Sequence, residues 1–106
     1  MTGLKVLLAV RPVLRTSPSQ QVRVREGEEI SLSCEVLAGQ PRPRLLWRKV
    51  GSRMPTGELE VESEEILVEE ARRGDEGTYQ CVARDQSGLQ PVTKDVEVFV
   101  ECKWKV

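Results

Sequence analysis

The run Asp75-Glu76-Gly77-Thr78-Tyr79-Gln80-Cys81, taken with Cys34 and Trp47 upstream of it, constrains this chain more than any other feature. Trp47 follows Cys34 by 13 positions, Cys81 follows Trp47 by 34, and Tyr79 stands two residues before Cys81. The neighbourhoods of these residues repeat with period two. Ile30, Leu32 and Cys34 alternate with Ser31 and Ser33, Leu45 and Trp47 share a face, and Val96, Val98 and Val100 repeat the pattern further on. Successive side chains of a strand point to opposite faces, so these stretches read as half-buried β-strands. Aromatic residues are few: Trp47, Trp104, Tyr79 and Phe99. Packing therefore falls to Val and Leu, which suit strands better than helices. A chain of 106 residues makes one domain with a real but modest core.

Residues 1–11 alternate Leu4, Val6, Leu8 and Val10 with Lys5, Leu7, Ala9 and Arg11, the period of a strand. They read as an N-terminal extension: a leader, the tail of a preceding module, or an extra edge strand. The apolar run Val6–Val10 is too short for a membrane span or a signal-peptide core. Pro12 and Pro18 belong at sheet edges, which predicts short strands at Val13–Thr16 and Gln21–Arg25, with Val22 and Val24 inward. Gly27 is expected at positive φ in the Glu26-Gly27-Glu28 turn. Gly39–Arg44 is expected to be a loop, followed by a strand with Leu45 and Trp47 inward and Leu46 and Arg48 outward. Glu58–Glu62 alternates as a short strand with its glutamates in solvent. Glu65–Glu69 follows, with Ile66 and Val68 inward and Leu67 outward, and Ala71 closes the same face. Asp85–Gly88 reads as a turn, and Val92–Val100 as the last strand, with Phe99 outward. The expected organisation is an extension at 1–11, a domain at 12–100 and a tail or linker at 101–106.

Cys34, Trp47, Tyr79 and Cys81 at these spacings, within the Asp75–Cys81 run, resemble the immunoglobulin superfamily. Gly39-x-Pro41-x-Pro43 ahead of Trp47, and Cys81-x-Ala83-x-Asp85-x-x-Gly88, resemble its intermediate, or I-set, branch. The resemblance runs from Pro12 to Val100. It implies an all-β, two-sheet immunoglobulin-like sandwich of Greek-key topology and I-set type, with edges at strands A′/G and D. It also implies a Cys34–Cys81 disulfide bolting the sheets together beside a buried Trp47. On the chain-entropy model such a loop contributes roughly 4 kcal/mol. Two reduced thiols packed on Trp47, as in cytoskeletal arrays of the same fold, are the alternative. Tyr79 is expected to bury its ring and return its hydroxyl to nearby backbone. Asp75 is expected to pair with a basic residue, Arg72, Arg73 and Arg53 being the candidates.

The net charge of −1 hides an asymmetry: residues 1–53 carry +6 and residues 54–106 carry −7. That excludes nucleic-acid binding by bulk charge but suits orientation against a neighbour. There is no His, which removes the commonest general base and metal ligand, and no Asn, hence no N-glycosylation sequon. No catalytic, metal or cofactor residue is assigned. The glutamates at 58–65, with Glu69 and Glu70, read as a solvated, edge-protecting run rather than a calcium site. Arg42, Arg44, Arg48, Lys49 and Arg53 form a basic group, and outward-facing Leu46 and Phe99 are expected to begin an apolar patch on the same sheet. Arg42, Arg44, Leu46, Arg48 and Phe99 are the candidate interaction surface. Cys102 is left over from the pair and is read as a free thiol, a link to a neighbouring domain or an inter-chain bridge.

By resemblance, the expected function is a non-catalytic interaction or spacer module of a multidomain extracellular or cell-surface protein, with an adhesion, receptor or matrix role. The alternative is a structural module of an intracellular muscle or cytoskeletal array. The expected partner is a protein, a second copy among the candidates. No nucleic acid and no membrane insertion are expected, and a weak dimer through residues 4–10 is.

Overall fold

The computed structural model describes residues 10–84 and 90–102. Eight strands follow one another: β1 Val10–Ser17, β2 Gln21–Arg25, β3 Ile30–Gln40, β4 Arg44–Lys49, β5 Glu60–Val61, β6 Glu65–Val68, β7 Gly77–Arg84 and β8 Val92–Glu101. They form two sheets, β1-β3-β6 and β2-β8-β7-β4-β5. The chain crosses between the sheets at Pro18, whose missing N–H makes it a natural end to a ladder. All pairs are antiparallel except β2 with β8, where Gln21–Arg25 run parallel to Glu97–Glu101. The helical element described is a single 3-10 turn, Arg73–Asp75, and among the described residues no helix is long and apolar enough to cross a membrane.

The inward positions read from the alternation meet in one core. Ile30, Leu32, Cys34, Trp47, Tyr79 and Val96 are all in it. Cys34 and Cys81 are joined by a disulfide with Cα atoms 6.4 Å apart, across the space between the sheets. Trp47 is fully buried and lies directly opposite Cys81 in the β4–β7 register. The carbonyl oxygen of Glu64 accepts both the indole N–H of Trp47 at 3.2 Å and the backbone N–H of Cys34 at 2.8 Å. One acceptor therefore satisfies a polar group from each sheet, which removes the cost of burying either unpaired.

The boundaries differ from expectation in ways that have local causes. β3 runs on to Gln40, so the expected loop from Gly39 shrinks to the residues around Pro41 and Pro43. Gly39 makes the extension possible: its φ is +150°, and a Cβ there would meet the Pro12 Cα at 3.3 Å. The strand expected at Glu58–Glu62 contracts to Glu60–Val61, and Leu59 is left 67% exposed. Met54, in the connection before it, is buried instead. It is held there by its N–H donating to the Glu58 carbonyl at 2.7 Å and its carbonyl accepting from Gly57 at 2.7 Å. The edges also differ. β2, the expected A′ segment, does stand at an edge beside the last strand β8, but β5 pairs with β4 and among the described residues no strand stands beyond β6, so the opposite edges are β5 and β6 rather than D. Glu101 belongs to β8, within the sheet rather than the tail. The expected strand at 4–10 enters the described residues only at Val10, where β1 begins. The Asp85–Gly88 turn and Trp104 lie outside the described residues.

Candidate interaction face

Strand alternation divides β4 and β7 between two surfaces. Leu45, Trp47, Cys81 and Ala83 enter the core. Arg44, Leu46 and Arg48 on β4, and Gln80, Val82 and Arg84 on β7, face the other way and pair rung by rung: Arg44 with Arg84, Leu46 with Val82, Arg48 with Gln80. The sequence makes Leu46 the exposed start of an apolar patch. It points outward as expected, yet it is only 5% exposed, and Val82 beside it 1%. The reason is lateral. The side chains flanking these two residues on the outer face are long and polar, and long charged side chains lay their aliphatic stems over apolar neighbours.

Those side chains are fixed to one another. Arg48 Nε donates to Gln80 Oε1 at 2.8 Å, and Gln80 Nε2 donates to Asp95 Oδ1 at 2.9 Å, a chain running across β4, β7 and β8. Arg84 reaches Glu60 on β5 at 3.4 Å, and Arg44 reaches Glu62 at 3.8 Å. The basic group and part of the acidic run, separate in sequence, thus meet at this face. The sequence reading misses Gln80, Val82, Arg84, Glu60 and Asp95 as members of it. Carrying the β7 alternation back from Arg84 finds the first two; Glu60 and Asp95 require the strand register.

Phe99 does not join Leu46. Thr93 lies opposite Val82, and Phe99 is six residues further along β8, about 20 Å away at strand rise. Phe99 pairs instead with Arg23 of β2, whose guanidinium lies 4.6 Å above its ring. The expected continuous patch is therefore two separate places. Arg42 is exposed in the connection between β3 and β4 and lines a shallow cleft with Arg44 and Glu62 at the end of this face. Cys102 is an exposed free thiol just past the end of β8. Among the described residues no cluster of three metal-ligating side chains converges.

At the opposite end of the sandwich, Tyr79 is fully buried and its hydroxyl donates to the Asp75 carbonyl at 2.7 Å. Burial pushes its phenol well above the usual tyrosine range, and the Asp75 charge adds to the shift. The Asp75 carboxylate accepts the backbone N–H of Arg72 at 2.8 Å, and among the described residues it makes no ion pair. The expected basic partner is thus a backbone donor. Arg73 turns instead toward Glu26, at 3.9 Å. Lys49 arches over Gly77 to donate to the Gly74 carbonyl at 2.6 Å, and any Cβ at Gly77 would strike its stem at 2.7 Å.

A two-sheet sandwich closed by a disulfide over a tryptophan, with a tyrosine tied back to its own strand entry, defines an immunoglobulin fold. The family model for the immunoglobulin domain matches residues 11–85, and the chain belongs to that family. Over 82 residues it is 39% identical to mouse hemicentin-2, covering 76% of this chain and 2% of that protein. Over 97 residues it is 35% identical to human roundabout homolog 3, covering 91% of this chain and 7% of that protein. Over 88 residues it is 36% identical to the nematode (Caenorhabditis elegans) muscle M-line assembly protein unc-89, covering 77% of this chain and 1% of that protein. The chain therefore spans only a small fraction of the length of these relatives. Among solved structures, it superposes on a chain of the Dpr11 IG1 complex with DIP-gamma IG+IG2 with a TM-score of 0.77 and 25% identity, covering 89% of this chain and 49% of that one.

Proposed function

We propose that this domain is a non-catalytic protein-interaction module of a larger extracellular or cell-surface protein, with an adhesion, receptor or matrix role. Its contact surface is the outer face of the five-stranded sheet. The observation that carries this reading is the cross-strand lattice over Leu46 and Val82: charged groups of both signs already held in place, so that docking costs little side-chain entropy. In the solved Dpr11 complex one immunoglobulin domain is bound to others, which supports a protein as partner. The disulfide supports an oxidising compartment. The alternating run at 4–10 enters the reading as a strand added to a neighbour's sheet edge. A second reading, a structural module of an intracellular array, is favoured by the unc-89 relative.

Two measurements test this. Tetramerised domain applied to cell surfaces and matrix should bind. Arg44→Gln with Arg84→Gln, which removes the charges without setting carboxylates against Glu60 and Glu62, should abolish that binding with little change in melting temperature. Binding equal to that of the parent would remove the outer face from the proposal. Thiol counting on protein from its natural source should find Cys34 and Cys81 oxidised; free thiols there would favour the intracellular reading.

A further inference from the structure

The two flanks of the sandwich carry opposite charge. Residues 10–25, which supply β1 and β2, hold Arg11, Arg15, Arg23 and Arg25 and no acidic residue, and all four arginines are exposed. Residues 58–70, which supply β5 and β6, hold seven glutamates and no basic residue, and all seven are exposed. The topology sets these segments at opposite ends of both sheets: β1 and β2 come first in the strand orders, β6 and β5 last. Among the described residues no strand pairs with the outer edge of any of the four. Each flank therefore presents unpaired backbone N–H and C=O groups from both sheets.

Apolar surface follows the same division. Of the six exposed large apolar side chains among the described residues, Val10 and Val13 lie on β1, and Leu59 and Leu67 on the acidic flank. A cleft lined by Met54, Val61, Ile66 and Val68 opens between β5 and β6. The charges are partly uncommitted: among the described residues Arg11 and Arg25 form no ion pair, and of the seven glutamates only Glu60 and Glu62 do.

Charged edges ordinarily prevent strand pairing between molecules. Here they prevent it only between like edges. A two-fold contact of β6 on β6 would bring glutamates against their own copies, and β1 on β1 would bring arginines together; like charges directly opposite destabilise a ladder. The basic flank laid on the acidic flank meets neither penalty.

We propose that copies of this domain associate side by side, the β1/β2 flank of one on the β5/β6 flank of the next, in a head-to-tail contact that continues both sheets. This rests on the reading of the domain as a protein-interaction module and assigns it a partner, a second copy. Because the flanks are opposite, each contact leaves one flank of each kind free, and the assembly grows rather than closing as a dimer.

The experiment is sedimentation equilibrium on the whole chain over a wide concentration range, at ~20 mM and at ~0.5 M salt, where screening differs several-fold. At low salt the weight-average mass should climb past that of a dimer; at high salt it should fall to the monomer. Arg11→Glu, Arg15→Glu, Arg23→Glu and Arg25→Glu together turn the basic flank from +4 to −4 and give two acidic flanks. Glu58→Lys, Glu64→Lys, Glu65→Lys, Glu69→Lys and Glu70→Lys together turn the acidic flank from −7 to +3 and give two basic ones. Each variant alone should be monomeric, and an equimolar mixture should associate again. A parent that stays monomeric at low salt, or that stops at a dimer, overturns the proposal without recourse to any variant. So does a mixture that stays monomeric while both variants melt like the parent. These substitutions leave Arg44 and Arg84 untouched. Loss of self-association with intact binding to cells or matrix would reject the edge contact alone, and the converse would reject the outer-face reading alone.

Discussion

The inner and outer faces of the β4–β7 pair are built from alternate residues of the same two strands, and both hold buried apolar side chains. On the inner face a second sheet does the burying, and Trp47 meets a disulfide, strand β3 and a shared carbonyl. On the outer face Leu46 and Val82 lie among arginines and a glutamine tied to acids on β5 and β8. The difference is between burial by a rigid layer and burial by lateral neighbours. The first leaves a hole when a side chain is cut back; the second closes over the gap, because long stems have room to resettle.

The largest effect expected from this contrast is at Trp47. Trp47→Ala should cost about 3–5 kcal/mol in denaturant titration and lower the melting temperature by more than about 10 °C. A loss below about 1 kcal/mol would break the inner half of the comparison. Leu46→Ala should cost less, about 1–2 kcal/mol, although Leu46 is nearly as well buried. An effect as large as that of Trp47→Ala would mean that the outer face is as rigid as the core.

Tyr79→Phe isolates one hydrogen bond of the inner side and should cost about 1 kcal/mol. It carries a pH signature as well. The folded phenol holds its proton more tightly than the unfolded one, so its contribution is complete below the unfolded pKa of about 10 and is lost as pH rises above it. Stability of the parent should fall in that alkaline range, and the Phe variant should lack that part of the slope. The smallest effect belongs to the exposed outer pair. A double-mutant cycle on Arg84→Gln and Glu60→Gln should return at most about 0.5 kcal/mol, less at high salt.

Much of the inner face is readable from alternation alone. Ile30, Leu32, Cys34, Trp47, Val96, Val98 and Val100 all read as inward, and all lie in the core. Alternation states which side of a strand a residue occupies, and that is right for Leu46 too. It does not state what stands beside the residue, because the neighbours come from strands far away in the chain. Leu46 is covered because β4 abuts β7, and Phe99 is remote from it because β8 is antiparallel to β7. Leu59 fails for the same reason: the alternation gives it a longer strand, but β5 has only two rungs to share with β4. Met54 lies outside any alternating run, and only the fold of its connection tucks it in.

The parallel pairing of β2 with β8 has a mechanical consequence. The chain enters the sandwich along β1 and β2 and leaves it at the end of β8, so tension across the domain pulls the two partnered strands in opposite directions along their length. Their hydrogen bonds lie across that pull, and the rungs from Gln21–Glu97 to Arg25–Glu101 share the load at once instead of parting one after another. Strung between neighbours, such a unit resists stretching in shear, with β1 on β3 loaded in the same sense.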